Sequence, residues 1–112
     1  MSTKSFGMSF EWGPTKPCDD TQSPPLEIFN SPPGTKYIQI ALFNNSTGEA
    51  RGKALAQALG QTSFGYGAFK SIDYKGPCSP PASVYRLKVT ALNGSGETHA
   101  IATGTLRFPP DP

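Results

Sequence analysis

The sequence predicts an all-β sandwich, and three observations carry that prediction. Apolar residues recur at every second position in several short runs, the period of a strand with one buried face. Twelve glycines and 12 prolines interrupt the 112 residues at close intervals, which suits short strands joined by tight corners. Hydrophobic residues make up 36% and charged residues 16%, enough apolar material for one core and not for a second. The expectation is therefore a single domain over residues 1–112.

The elements follow in chain order. Phe6, Met8, Phe10 and Trp12 alternate with Gly7, Ser9 and Glu11 in a half-buried first strand. A loop from Pro14 to Pro24 leads to a second short strand, where Leu26 and Ile28 flank Glu27. Pro32, Pro33 and Gly34 make a turn. Ile38, Ile40 and Leu42 share one face of a third strand, with Tyr37, Gln39 and Ala41 on the other, and it ends at the polar cluster Asn44 to Gly48. The segment KALAQAL carries the helical signal: Leu55 and Leu59 fall four apart and Gly60 suits a left-handed stop, so one short helix is predicted near residues 53–59. Two turns are marginal alone, so this helix must dock to exist.

Residues 61–75 have no clean period and hold Phe64, Tyr66, Phe69 and Tyr74, which must pack on something. Pro77, Pro80 and Pro81 then fix three φ angles and withhold three donors, so this segment is a rigid corner outside any central ladder. Tyr85, Leu87, Val89 and Ala91 alternate with Arg86, Lys88 and Thr90 in the strand beyond it. Asn93-Gly94 marks a hairpin turn, and Ala100, Ala102, Gly104, Leu106 and Phe108 line one face of the return strand. The closing Pro-Pro-Asp-Pro cannot continue a ladder and is expected to end as a free tail.

The charge balance and chemical inventory narrow the function. Ten Lys and Arg against eight Asp and Glu leave a formal net charge of +2, which gives no electrostatic reason to expect a nucleic-acid partner. No stretch approaches the ~20 apolar residues of a transmembrane helix, and MSTKSFG lacks the apolar run of a signal peptide. The chain as given is expected to be soluble and cytoplasmic, or exported to the periplasm if a leader has been removed. Its one histidine, His99, falls on a polar-facing position and reads as solvated, while Asp19-Asp20 reads as a turn cap. Two Cys and one His far apart do not make a zinc site, and the phosphate-loop and nucleophile-elbow patterns are missing. Neither an enzyme nor a cofactor is expected. Cys18 and Cys78 permit one disulfide, worth roughly 4 kcal/mol across roughly 60 residues, or two unpaired thiols in a reducing compartment.

Two segments resemble a known family. Ser23-Pro24-Pro25-Leu26 followed by Pro32-Pro33-Gly34-Thr35-Lys36 is similar to the "SPxLxW…PxGTKS" opening of the phosphatidylethanolamine-binding proteins, whose bacterial members are called Raf-kinase-inhibitor-like. Tyr74-Lys75-Gly76-Pro77-Cys78-Ser79-Pro80-Pro81 followed by Tyr85-Arg86-Leu87 looks like that family's "YxGPxPP…HRY" stretch. Thr62-Ser63-Phe64-Gly65 is similar to its "NxFG", and Ala102-Thr103-Gly104-Thr105-Leu106 to its closing "AxxTGTY" strand. The order and rough spacing agree across residues 23–107. The resemblance implies a β-sandwich with a small anion pocket at one end that takes phosphate, phosphoethanolamine or related phospholipid head groups.

In the family that pocket is built from the aspartates of a "DPDAP" loop, the His of a later "HW" strand, and the His and Tyr of "HRY". Here Asn44 and Ser46 stand in place of both carboxylates, Tyr85 takes the His position and Leu87 the Tyr position. The "HW" strand has no counterpart, the predicted helix around Leu55 taking its place, and the turn at Asn93-Gly94 replaces the long C-terminal insertion. The resemblance therefore implies a degenerate site lined by Asn44, Asn45, Ser46, Pro77, Cys78 and Tyr85, offering neutral amide and hydroxyl groups. Arg86 is the nearby cation, on the opposite face of its strand from Tyr85.

Two functions are expected on these grounds. One is non-catalytic binding of a polar or anionic small molecule. The other is a protein-interaction or inhibitor module with no working pocket, docking a partner or a second copy through the aromatic loop Phe64 to Tyr74. A fibronectin-like or immunoglobulin-like sandwich is a third reading that strand order distinguishes.

Overall fold

The structure, a computed structural model, describes residues 6–15, 20–58, 60, 62–69, 73–77 and 83–108. Seven strands run in order: β1 Gly7–Phe10, β2 Leu26–Phe29, β3 Tyr37–Asn44, β4 Ala50–Gln57, β5 Ser63–Phe64, β6 Ser83–Leu92 and β7 Thr98–Phe108. They form two antiparallel sheets, one ordered β1-β2-β5 and one ordered β4-β3-β6-β7.

The larger sheet is two hairpins joined side by side. Asn44 to Glu49 closes the first, because the Asn44 side-chain oxygen accepts hydrogen bonds from Ser46 N at 2.9 Å and Thr47 N at 3.2 Å. Asn93 closes the second in the same manner, accepting from Ser95 N and Glu97 N, each at 2.9 Å. The sequence places this turn correctly at Asn93-Gly94, but the left-handed residue is Gly96, at φ 83. The hairpins meet along β3 and β6, where Asn44, Leu42, Ile40 and Ile38 stand opposite Tyr85, Leu87, Val89 and Ala91.

Size is graded across this inner face. The central strands supply Ile38, Ile40, Leu42, Leu87 and Val89, all fully buried, each worth about 1.5–3 kcal/mol of burial. The flanking strands supply small residues along most of their length, Ala54 and Ala56 on β4 and Ala100, Ala102 and Gly104 on β7, before Leu106 and Phe108 close the end of β7. Small flanks leave room for the second sheet. A Cβ at Gly104 would come within 2.8 Å of Met8 Sδ and 3.5 Å of the Phe10 ring, so the missing side chain is what lets β1 lie over β7.

The predicted helix is not there. Residues 50–57 form β4, paired with β3 from Tyr37↔Gln57 to Ile40↔Ala54 and Ala41↔Lys53. Alanines at 54 and 56 fit either period, and the open edge of β3 decides between them. Strand pairing satisfies β3's backbone groups, which a docked helix would leave bare. Leu55 consequently faces out, 43% exposed. Leu59 lies outside the described residues.

The aromatic loop is also not a surface. Phe64, Phe69 and Tyr74 are each 2–3% exposed and belong to the core, with the Phe64 and Phe69 rings 4.9 Å apart. A sheet of strands only four, four and two residues long cannot cover its half of the sandwich, so loop aromatics complete it. This removes Phe64, Phe69 and Tyr74 as a docking patch. Among the described residues no helix is long and apolar enough to cross a membrane. The closing Pro-Pro-Asp-Pro lies outside the described residues.

Candidate functional site

The site begins with a register pair. Asn44, at the end of β3, stands opposite Tyr85 near the start of β6, both on the inner face and both buried. Asn45 N donates to Val84 O at 2.8 Å, tying the turn to the first residues of β6. The segment 73–77 reaches the same end of the sheet from the side. Lys75 N donates to Arg51 O at 2.6 Å, and Arg51 sends Nε and one Nη to Gly76 O at 3.1 and 2.9 Å. Pro77 follows, fully buried. Thus Asn44 and Asn45 lie against Tyr85 and Val84, while Gly76, the neighbour of Pro77, is tied to Arg51 on β4. Cys78 lies outside the described residues, as do Cys18 and Asp19.

The chemistry differs from the sequence expectation in two respects. Asn44 spends its carbonyl oxygen on the turn, so its amide N–H groups are what remain for a ligand, and Asn45 and Ser46 are exposed beside it. The nearby cation is Arg51, not Arg86. Arg86 stands on the outer face with its guanidinium 5.3 Å from the centre of the Phe43 ring. Arg51 has a side chain only 13% exposed and reaches Glu49 at 3.3 Å as well as Gly76. A strand does follow the Asn44 turn, where the family carries its "HW" strand, but β4 holds no histidine. The Arg51 charge is met by Glu49 and Gly76 O, so what this end offers is the Asn44 amide beside the exposed polar side chains of Asn45 and Ser46, which suit an oxygen acceptor.

A second network lies behind the first, and sequence reasoning missed it. Asp20 is buried; its carboxylate accepts from Gln22 N at 2.9 Å and from the Tyr66 hydroxyl, and its main-chain oxygen accepts from Gly76 N at 2.7 Å. Ser23 adds two links, its carbonyl accepting from Gly67 N and its hydroxyl from Phe69 N. The cap predicted for the Asp19-Asp20 pair is therefore real at Asp20, and it also clasps three loops. The Asp20–Tyr66 pairing spans 46 residues, which no local pattern announces.

Burial, with the hydrogen bond to Asp20 and its charge, pushes the Tyr66 phenol up to about 12. Tyr74 is raised further, by burial first and the Asp20 charge next, against the opposing pull of Arg51. Because the folded phenols are raised, their contribution to stability is complete below the unfolded value of 10.0 and is lost as pH climbs through the folded values, about 12 for Tyr66 and higher for Tyr74. In phenolate absorbance titrations, Tyr66 is expected to ionise near 12 in the folded chain and near 10 in urea, and Tyr66→Phe should delete that late step. A native Tyr66 titrating near 10 would mean that the Asp20 clasp is not closed in solution.

His99 is exposed on β7, as expected for a solvated side chain. Among the described residues no three His, Cys, Asp or Glu side chains are grouped to hold a metal ion. Two surface cavities, of about 310 and 250 Å³, are lined by other residues: one lies along Ser9, Glu11, Glu27 and Ser63, the other between Ile28, Pro32, Thr35 and Ala58. The described part of the Asn44 end is a turn and a loop carrying polar groups.

The fold has a counterpart among solved structures. The chain superposes on a crystal structure described as that of a phosphatidylethanolamine-binding protein (PEBP) homologue, CT736, from Chlamydia trachomatis, with a TM-score of 0.67 and 14% identity. The match covers 98% of this chain and 100% of that one. The fold is therefore the PEBP-like sandwich and not an immunoglobulin-like one. No protein-family model and no curated protein matches the sequence.

Proposed function

We propose that the chain is a non-catalytic binding protein that takes a small anion or an anionic head group, such as a phosphate monoester, at the Asn44 end of the sandwich. The observation that carries this reading is the approach of segment 73–77 to the sheet end that holds the Asn44–Tyr85 pair, through the half-buried guanidinium of Arg51. The supply is of hydrogen-bond donors, with the Arg51 charge balanced by Glu49 and no imidazole in the pairing. A phosphoryl oxygen needs stabilising contacts of this kind, and no proton transfer. The PEBP-like fold supports the same reading, since the solved neighbour is described as a homologue of phosphatidylethanolamine-binding proteins. The loops are fastened in advance by Asp20, Tyr66 and Arg51, so ordering is met in folding and not in binding.

A thermal-shift screen against inorganic phosphate, phosphoethanolamine and acetate tests the proposal. A ligand at a hundredfold excess over its Kd stabilises the native state by about 2.7 kcal/mol, which here raises Tm by about 10 °C. Tyr85→Phe keeps the ring's edge-on contact with Trp12, at 6.1 Å, and is expected to reduce the shift; Arg51→Gln should abolish it for the anions. Asn44→Ala should lower the parent Tm as well, because two turn N–H groups lose their acceptor. Absence of a shift with every compound would reject a ligand site at this end.

A further inference from the structure

The larger sheet ends in two unlike edges, β4 and β7. Hydrogen bonds fix which backbone groups each edge turns outward. Asn45 N donates to Val84 O, so Val84 turns its peptide groups to the β3 side, and Tyr85, Leu87, Val89 and Ala91 turn theirs to β7. Their register partners Leu106, Gly104, Ala102 and Ala100 exchange those bonds. Thr105, Thr103 and Ile101 therefore point N–H and C=O away from β6, as does Arg107, whose oxygen accepts from the Trp12 indole. On β4 the corresponding groups are met by segment 73–77. Lys75 N donates to Arg51 O at 2.6 Å, and Lys53 N to the Asp73 carboxylate at 3.4 Å. That edge also has a register shift between Ala41 and Phe43 and the left-handed Gly52. Such devices close a sheet edge. The β7 edge has none of them: its pairing with β6 is regular from Ala100 to Phe108, and no proline or charge lies between His99 and Arg107. Among the described residues no strand pairs with its far side.

We propose that the open edge of β7 pairs with β7 of a second copy of the chain, antiparallel about a twofold axis at Thr103, so that two four-stranded sheets join edge to edge. Self-complementarity selects the occupant. Across that axis Thr103 meets itself and Ile101 meets Thr105 of the other copy, and each such pair exchanges two main-chain hydrogen bonds, about six in all. This register uses every outward group of the regular strand except those of Arg107, whose oxygen Trp12 already holds. The outer-face side chains that meet are β-branched, which suits strand pairing. On the inner face Ala102 meets Gly104 and Ala100 meets Leu106, so each pair contains one small residue and no two large side chains collide. A twofold contact also closes after two copies. Seven residues of edge at about 3.4 Å each, on a sheet about 10 Å thick, give roughly 240 Å² per copy, well below the ~800 Å² of a standard complex. The dimer is therefore populated at high chain concentration, and with no charges in the pairing it is insensitive to salt. The inference rests on no part of the anion-site reading.

The test is sedimentation and amide hydrogen exchange, each run from about 10 μM to about 1 mM chain. The expected result is a monomer at the low end and a dimer at the high end, at low and high salt alike, with the added protection falling on the amides of Ile101, Thr103 and Thr105. Thr103→Glu sets two carboxylates against each other on the axis and should weaken the dimer about tenfold or more. It should keep the parent Tm, because Lys88 stands opposite position 103 within the sheet. Mixed one to one with Thr103→Lys, it should recover a dimer that neither variant forms alone, as only a residue facing itself across the axis can. A chain that stays monomeric at millimolar concentration, a Thr103→Glu dimer as tight as the parent's, or a mixture without recovery would overturn the proposal. So would protection gained on other strands, species larger than a dimer, or tighter capture of an unrelated extended Thr/Val peptide than of the chain itself.

Discussion

Gly52→Ala is expected to be the most damaging small substitution in the chain. Its φ of 92 is one that L side chains rarely adopt, and an added Cβ would overlap the Asp73 carbonyl oxygen and lie 2.8 Å from Tyr74 Cα. Both obstacles are backbone, so nothing can rotate away. Relief requires pushing segment 73–77 off β4, which breaks the Arg51 bonds to Gly76 and lifts Tyr74 from the core. Strain and overpacking together are expected to cost about 3–5 kcal/mol, a fall in Tm of about 15 °C or more. Gly48→Ala is the control: its φ is 79, but nothing lies within 4 Å of the new Cβ, so it should cost about 1–2 kcal/mol. Urea denaturation of the pair separates the two contributions. Equal losses would show that segment 73–77 does not press on β4.

Trp12→Ala is expected to come second, at about 3–5 kcal/mol. Trp12 is 4% exposed and sits edge-on to Phe10 and Phe108, each at 5.2 Å, and to Tyr85 at 6.1 Å. Its indole N–H donates to Arg107 O at 2.7 Å, so truncation opens a cavity and also leaves a carbonyl without its donor. Trp12→Phe restores most of the ring volume and should cost about 1–2 kcal/mol, the lost hydrogen bond and a smaller gap. The residue is the chain's only tryptophan, so unfolding must be followed by far-ultraviolet circular dichroism. A Trp12→Ala variant as stable as the parent would mean that β1 is not seated on the larger sheet.

The fold was legible where alternation is backed by residue size. Ile38, Ile40 and Leu42, and Tyr85, Leu87 and Val89, announce their buried faces because large and polar residues take turns. KALAQAL failed because alanine is small enough to sit on either side of the argument. Its inward residues are Ala54 and Ala56, and its one large side chain before Leu59, Leu55, points to solvent. That misreading hid a site residue as well. A helix over 53–59 leaves Arg51 on no strand beside Gly76, so that Arg86 stands as the nearby cation. Asn44 and Asn93 were readable as turns because an Asn side chain closes its own loop within three or four residues. Asp20 with Tyr66 and Ser23 with Phe69, each 46 positions apart, depend on which loops the finished sandwich brings together.

The seam between β3 and β6 has a kinetic consequence. Each of its two hairpins can zip locally, since β3 meets β4 and β6 meets β7 across short turns. Joining them brings Tyr37 to Leu92 and Asn44 to Tyr85, and the closing of that long intervening segment is a search the hairpins must survive before any reward arrives. On topology the slow step is expected to be the meeting of two preformed ribbons, and a nascent chain cannot complete the larger sheet until β7 has left the ribosome.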